Sequence, residues 1–293
     1  LTEQDVKFPF VTLLVSGGHN LLLLAHSLGN YTELGATVDD SLGEAYDKVA
    51  RLLDLDLSRG GGPVLEELAR SGDPKKYPFR VPMIAKKGDC HFSFAGLKTA
   101  TRMCIEKHIG DTSEKPRKNE VLETLFPEPE DSQETKQVKA DIAASFQEVA
   151  IRHLEDRTRR ALEWAKEEHP DLQHLVVSGG VASNLEVRAR LTKVAEAAGM
   201  ELRCPPIKLC TDNGAMVAWA GATNFANGLL QPVPKLAAEF VNGREEEYVD
   251  VNPRWPLGVK HWRYINEKPA KSLKKKKMRM SLTEETRLRD LAA

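Results

Sequence analysis

A chain of 293 residues, 41% hydrophobic and 29% charged, has the make-up of an ordinary globular protein and room for two compact lobes or one large α/β domain. A formal net charge of −1 excludes a global basic field for nucleic acid. Four cysteines (Cys90, Cys104, Cys204 and Cys210) without Cys-x-x-Cys spacing exclude a disulfide framework or zinc knuckles, and no apolar run reaches the ~20 residues of a membrane span. The sequence opens at Leu1 with no targeting segment to read, and is expected to be a processed or shortened chain.

Val11–Val15 and Leu21–Ala25 read as two short strands joined through Ser16-Gly17-Gly18-His19-Asn20. Ser41 with Glu44 three residues later has the form of a capping box. Leu42, Tyr46, Val49 and Leu53 then recur at helical spacing, which leaves Glu44, Asp47, Lys48 and Arg51 largely off the buried face. Gly60-Gly61-Gly62-Pro63 forms a turn before a helix over Val64–Ser71. An aromatic stretch, His91–Gly96, feeds a helix from about Leu97. Gly110–Gln137 is charged and poor in apolar residues, and is expected to be a solvated loop or lid. A long helix is expected over Val138–Glu168, with Ile142, Phe146, Val149, Leu154, Ala161 and Ala165 as its apolar stripe. Leu175–Val177 reads as a strand, Ala182–Gly199 as a helix, Arg203–Ile207 as a strand and Asn213–Asn227 as a helix. Order is expected to decline beyond Gln231, towards a basic tail that contains Lys274–Lys277. This alternation is that of an α/β fold.

Val-Ser-Gly-Gly occurs at Val15–Gly18 and again at Val177–Gly180, each time after a strand. Glycines there let backbone N–H groups approach an anion, so two related lobes facing one phosphate-bearing ligand are expected. Ser178-Gly179-Gly180 precedes a helix, whose free N–H groups suit an anion, with Asn184 one turn in and able to reach a base or ribose. A tight strand-to-helix turn with a solvated Asn184 accounts for the same residues. Ser16-Gly17-Gly18 joins two strands, as hairpin glycines also do. Asp47 and its neighbours could bind ribose hydroxyls, hold a metal-bound water or form a solvated, salt-bridged face. Asp212, at a strand-to-helix junction, could ligate a cation or cap the helix. Ser93 and Lys98 could reach a phosphate, or Phe92 and Phe94 could simply be core.

Taken in order, these segments resemble one family. The carriers are Leu14-Val15-Ser16-Gly17-Gly18-His19, Gly43–Ala50, Gly61-Gly62-Pro63, Phe92–Thr99, Ser178–Asn184 and Cys210–Met216. They look like the signature blocks of the tRNA N6-adenosine threonylcarbamoyltransferases, once described as O-sialoglycoprotein endopeptidases. Val251–Leu257 resembles the C-terminal end of bacterial and organellar members, which points to the mitochondrial branch. The resemblance implies an actin-like ATPase (ASKHA) α/β fold of two duplicated lobes. On that basis residues 1–100 are expected to be the remainder of the N-terminal lobe, which would be incomplete. Residues 101–140 would form a charged connector, 141–258 the C-terminal lobe and 259–293 a basic tail.

The resemblance also implies transfer of a threonylcarbamoyl group from its adenylate to N6 of an adenosine beside the tRNA anticodon, with tRNA as partner and a homodimer as assembly. Carried over by position, Leu14, Val15, Ser16, Gly17, Gly18, Asp47, Gly62 and Asn184 would hold the adenylate. Asp212 would ligate one divalent metal ion per subunit, of Fe or Zn type. No general base is assigned. The family's His-x-x-x-His metal motif and an acidic strand motif ahead of the first block have no counterpart in this sequence, so the chain is expected to be catalytically impaired as it stands. Two other readings remain at this stage: a non-catalytic nucleotide-binding or dimerising subunit, and a metalloprotease, for which no His-Glu-x-x-His is present.

Overall fold

In the computed structural model, strand β1 (Phe10–Val15) alternates half-buried and buried residues, placing Val11, Leu13 and Val15 on the core face. The structure describes residues 6–86, 88–110, 131–229, 237–241, 244–248 and 257–265. Strand β2 (Asn20–Ser27) runs antiparallel to β1 and is buried on both faces through Leu22–Ala25. A third strand, β3 (Asn30–Ala36), follows the Leu28-Gly29 turn, pairs antiparallel with β2 and was not expected. Two further strands, β4 (His174–Ser178) and β5 (Glu201–Arg203), add in parallel on the other side of β1. The sheet order is therefore β5-β4-β1-β2-β3-β8, with β8 (Val259–Lys260) parallel to β3.

The two Val-Ser-Gly-Gly turns thus leave hydrogen-bonded neighbours of one sheet, with Leu14 opposite Ser178, instead of facing each other across two lobes. Both turns lie at the C-terminal ends of their strands. Since β1 is flanked by β2 on one side and β4 on the other, this is the edge where the chain's path changes direction, and ligands of open α/β sheets bind at such switch points.

Helices pack around this sheet. Helix α1 (Leu42–Leu52) starts as the capping pattern requires, with Ser41 Oγ accepting from the Glu44 N–H at 3.2 Å. The reciprocal half of the box is replaced by a pair between Glu44 and Lys48 at 2.6 Å. Helix α2 (Gly61–Ala69) begins three residues earlier than expected, which puts Pro63 in its first turn, where a missing N–H costs nothing. Helix α3 (Ala95–His108) follows the buried Phe92 and Phe94.

Helix α4 (Gln133–Glu168) also starts earlier than expected, because Ser132 Oγ caps it through the Thr135 N–H at 3.1 Å. All six residues of the expected stripe are buried, and each large one adds roughly 1.5–3 kcal/mol of apolar transfer. Arg157 is fully buried on the same helix, its guanidinium bound to Asp89 Oδ1 at 2.8 Å and to the carbonyls of Met83, Lys86 and Asp89.

The remaining elements correct three expectations. Gly180–Ser183 is a short 3-10 turn, and helix α5 (Leu185–Ala197) begins after it, so Asn184 is the helix cap. β5 ends at Arg203 because Pro205 and Pro206 have no N–H to continue the ladder. Beyond Gln231 a two-stranded unit is formed by β6 (Ala237–Val241) and β7 (Arg244–Tyr248), followed by β8 and a short helix α7 (Trp262–Ile265). Helix α6 (Gly214–Ala226) agrees with expectation. Residues 111–130, Val251–Pro256 and Lys274–Lys277 lie outside the described residues. No helix among the described residues is long and apolar enough to cross a membrane.

Candidate active site

The first turn is built by its own serine and by α1. Ser16 Oγ accepts from the N–H groups of Gly18 at 3.3 Å and His19 at 3.1 Å, while the Ser16 N–H donates to His19 O at 2.8 Å. The Gly17 N–H has no acceptor among the described residues. From α1, Ser41 Oγ donates to Gly17 O at 2.6 Å and the Gly43 N–H to Ser16 O at 3.3 Å. Gly43 is obligatory here, since a Cβ would sit 2.6 Å from Ser16 O and 2.7 Å from Gly17 Cα.

Asp47 lies four residues further along, on the same face of α1. Gly61 of α2 packs against it so closely that a Cβ would come 2.5 Å from Asp47 Oδ1. The half-buried Asp47 carboxylate makes no hydrogen bond or ion pair with the other described residues. The turn Ser16–Gly18, Asp47 and the start of α2 at Gly61-Gly62 therefore form a row along α1.

The second turn crosses the end of β1. Gly179 has φ +100°, and a Cβ on it would lie 2.3 Å from Val15 O, so only glycine fits. Asn184 Oδ1 caps α5 by accepting from the Val187 N–H at 2.9 Å. Its amide Nδ2 donates to Gln147 Oε1 at 3.4 Å, and Gln147 Oε1 also accepts from Tyr46 OH at 3.3 Å, which links Asn184 to α1. The Leu185 N–H at the start of α5 donates to Glu66 Oε1 at 3.1 Å, so a protein carboxylate already occupies the helix end expected to bind an anion.

Glycines at this edge fall into two groups. Gly43, Gly61 and Gly179 are pressed by neighbouring atoms. Gly17, Gly18, Gly62 and Gly180 have no atom within 4 Å of a would-be Cβ and no positive φ. Neither packing nor backbone conformation demands glycine at those four positions, whereas a ligand lying against the main chain does.

An acidic pair that the sequence reading passed over completes this edge. Asp39 accepts from Ser93 Oγ at 2.5 Å and from the Phe94 N–H at 2.9 Å. Asp40 pairs with Lys48 at 3.2 Å and with Lys98. Burial pushes the Asp40 carboxyl up, yet the two ammonium groups outweigh it and hold the group below the ordinary carboxylate value. Ser93 and Lys98, considered for phosphate contact, are thus both engaged by this pair. The signal was two consecutive acids before a helix cap, but Ser93 and Lys98, which they engage, lie more than fifty residues away.

Asp212 is exposed, and Asn213 caps α6 in its place through the Met216 N–H at 3.0 Å. Arg188 ties the segment before it to the second turn, donating to Ala182 O at 2.5 Å, to Pro205 O at 2.9 Å and to Cys210 Sγ at 3.3 Å. Among the described residues, no group of three His, Cys, Asp or Glu donors includes Asp212.

The two glycine turns and the Asp47 carboxylate, unpaired among the described residues, thus lie together at the C-terminal edge of an α/β sheet. Comparison with known proteins makes this specific. The family model for tRNA N6-adenosine threonylcarbamoyltransferase matches residues 1–219, and the chain belongs to that family. Its fold is the actin-like ATPase fold. The chain is 48% identical over 284 residues to a protein of Arabidopsis thaliana named probable tRNA N6-adenosine threonylcarbamoyltransferase, mitochondrial, covering 97% of this chain and 55% of the relative. It is 42% identical over 254 residues to the tRNA N6-adenosine threonylcarbamoyltransferase of Paramagnetospirillum magneticum, covering 87% of this chain and 62% of the relative. The chain therefore spans between half and two thirds of the length of these curated relatives. HypF of T. kodakarensis superimposes with a TM-score of 0.41 and 21% identity over 65% of this chain and 20% of its own, too distant a likeness to inform the site.

Proposed function

We propose that the protein transfers a threonylcarbamoyl group from threonylcarbamoyl-adenylate to N6 of the adenosine next to the anticodon of tRNA. The observation that carries this reading is the row along α1: Gly17, Gly18 and Gly62 open to a ligand, with the Asp47 carboxylate, unpaired among the described residues, between them. In this assignment Leu14–Gly18 and Gly62 lie against the phosphate and sugar, and Asp47 accepts from ribose hydroxyls. Asn184 contributes by fixing the start of α5 beside the nucleoside.

In the reaction N6 attacks the carbamoyl carbon, a C–N bond forms, the C–O bond to the phosphate breaks and AMP leaves as one N6 proton is released. The turn that holds the phosphate would steady the departing AMP. The family resemblance assigns Asp212 to a divalent metal, but the donor set around it among the described residues does not make a complete site, and no step is routed through the ion. Placement in mitochondria is supported by the name of the Arabidopsis relative. The test is to incubate the protein with threonylcarbamoyl-adenylate and unmodified tRNA, digest the tRNA and detect threonylcarbamoyladenosine by mass spectrometry. Absence of the product with intact adenylate binding would overturn the transferase assignment.

Homodimerisation is proposed on α6, whose Trp219 and Phe225 are 54% and 74% exposed on a helix with no buried residue. Light scattering of the wild type and of Phe225→Lys tests it. A dimer that the substitution dissociates is expected, and a wild-type monomer would contradict it.

A further inference from the structure

At the sheet edge opposite the two turns, three side chains converge. His26 at the end of β2 places Nδ1 3.0 Å from Nε2 of His169, which closes the C-terminal end of α4. Glu168 joins them, with the ligand atoms of all three within 4.8 Å of one another. Both rings are half-buried.

The surroundings orient this group. Nε2 of His26 lies 2.9 Å from Thr32 Oγ1. In the tautomer that donates this N–H to the threonine, Nδ1 presents a lone pair to His169. Glu168 Oε1 accepts from His261 Nε2 at 2.8 Å, and His261 is itself buried and stacked on Trp164 with ring centroids 5.2 Å apart. Outer hydrogen bonds of this kind, from imidazole to hydroxyl and from imidazole to carboxylate, are what hold metal ligands in place. Two imidazole lone pairs cannot face each other at this distance without a proton or a cation between them. The N···N separation is close to the ~3.3 Å edge of a tetrahedron with ~2.05 Å Zn–N bonds.

We propose that His26, His169 and Glu168 form a zinc site, with water in the fourth position, that clamps the end of β2 to the C-terminus of α4. The donor set, two imidazoles and one carboxylate, suits Zn²⁺ better than the oxygen-seeking Ca²⁺ or Mg²⁺. The site lies away from the glycine turns and stands or falls independently of the adenylate reading.

The experiment is titration of metal-free protein with Zn²⁺ by calorimetry and with Co²⁺ by visible absorption. One equivalent is expected, with His26→Gln and His169→Gln each weakening it by about a hundredfold. His169→Cys is expected to restore Co²⁺ binding and add a thiolate charge-transfer band, a signature that loss of folding cannot mimic. Retained affinity in both glutamine variants, or loss in Asp212→Ala alone, would overturn the proposal. So would absence of any stoichiometric binding by the wild type.

Discussion

His153 offers a stability test whose size can be worked out from its surroundings. The ring is fully buried on α4 between the edges of Phe92 and Phe94, at centroid distances of 6.0 and 5.2 Å, and its Nε2 accepts from the Ser93 N–H at 3.2 Å. Its Nδ1 has no hydrogen-bond partner among the described residues. Burial, reinforced by the Arg157 charge, lowers its pKa to about 3 from the ordinary 6.5. The depressed value belongs to the folded state, so below pH 6.5 the unfolded chain takes up a proton that the native protein refuses. Stability therefore falls as the pH drops from 6.5 towards 3, at up to about 1.4 kcal/mol per unit.

Between pH 7 and pH 5 this one group removes about 2 kcal/mol. His153→Gln keeps an acceptor for the Ser93 N–H and cannot titrate. Urea unfolding of wild type and variant at both pH values isolates the effect, because contributions from other groups, His26 among them, cancel in the difference. The wild type should lose about 2 kcal/mol more than the variant over this interval. Equal losses would refute the reasoning.

Other substitutions separate packing from ligand contact. Gly179→Ala forces a Cβ into Val15 O at an unfavourable φ and should cost more than about 3 kcal/mol in denaturant unfolding, whereas Gly18→Ala, pointing into open space, should stay within about 0.5 kcal/mol. If Gly18→Ala nevertheless binds adenylate as the wild type does, the turn is not a ligand surface. Asn184→Ala removes the α5 cap and should lower stability by about 1 kcal/mol, measured by the same unfolding curves. Asp89→Ala removes the nearer of two carboxylates paired with the buried Arg157, leaving Asp156 at 3.5 Å, and should cost about 3 kcal/mol, with a shift below about 1 kcal/mol contradicting the buried pair.

Local signals in the sequence were read well where one element carries its own reason. The Ser41 cap, the stripe of α4 and the short strands around the first turn follow from spacing and capping alone. β3 carries no legible signal of its own, because Leu28-Gly29 is a weak hairpin pair and Tyr31–Ala36 has no clean alternation of apolar residues. The pattern places Asn184 one turn inside a helix over Ala182–Gly199, and only the 3-10 turn at Gly180–Ser183 shows that it is the cap. The placement of both turns on one sheet, the Asp39–Ser93 contact and the His26–His169 pair depend on residues far apart in sequence, for which no local pattern exists. The site residues from Leu14 to Asn184 were brought within reach of one another through α1, but Asp212 was not joined to any donor cluster among the described residues.

The central claim is that the row along α1 holds an adenylate. Calorimetric titration of a non-hydrolysable threonylcarbamoyl-adenylate analogue into the wild type and into Asp47→Ala tests it most directly. Loss of a charged acceptor for ribose hydroxyls predicts at least about tenfold weaker binding, with unchanged circular dichroism. Identical affinity in the two proteins would contradict the account.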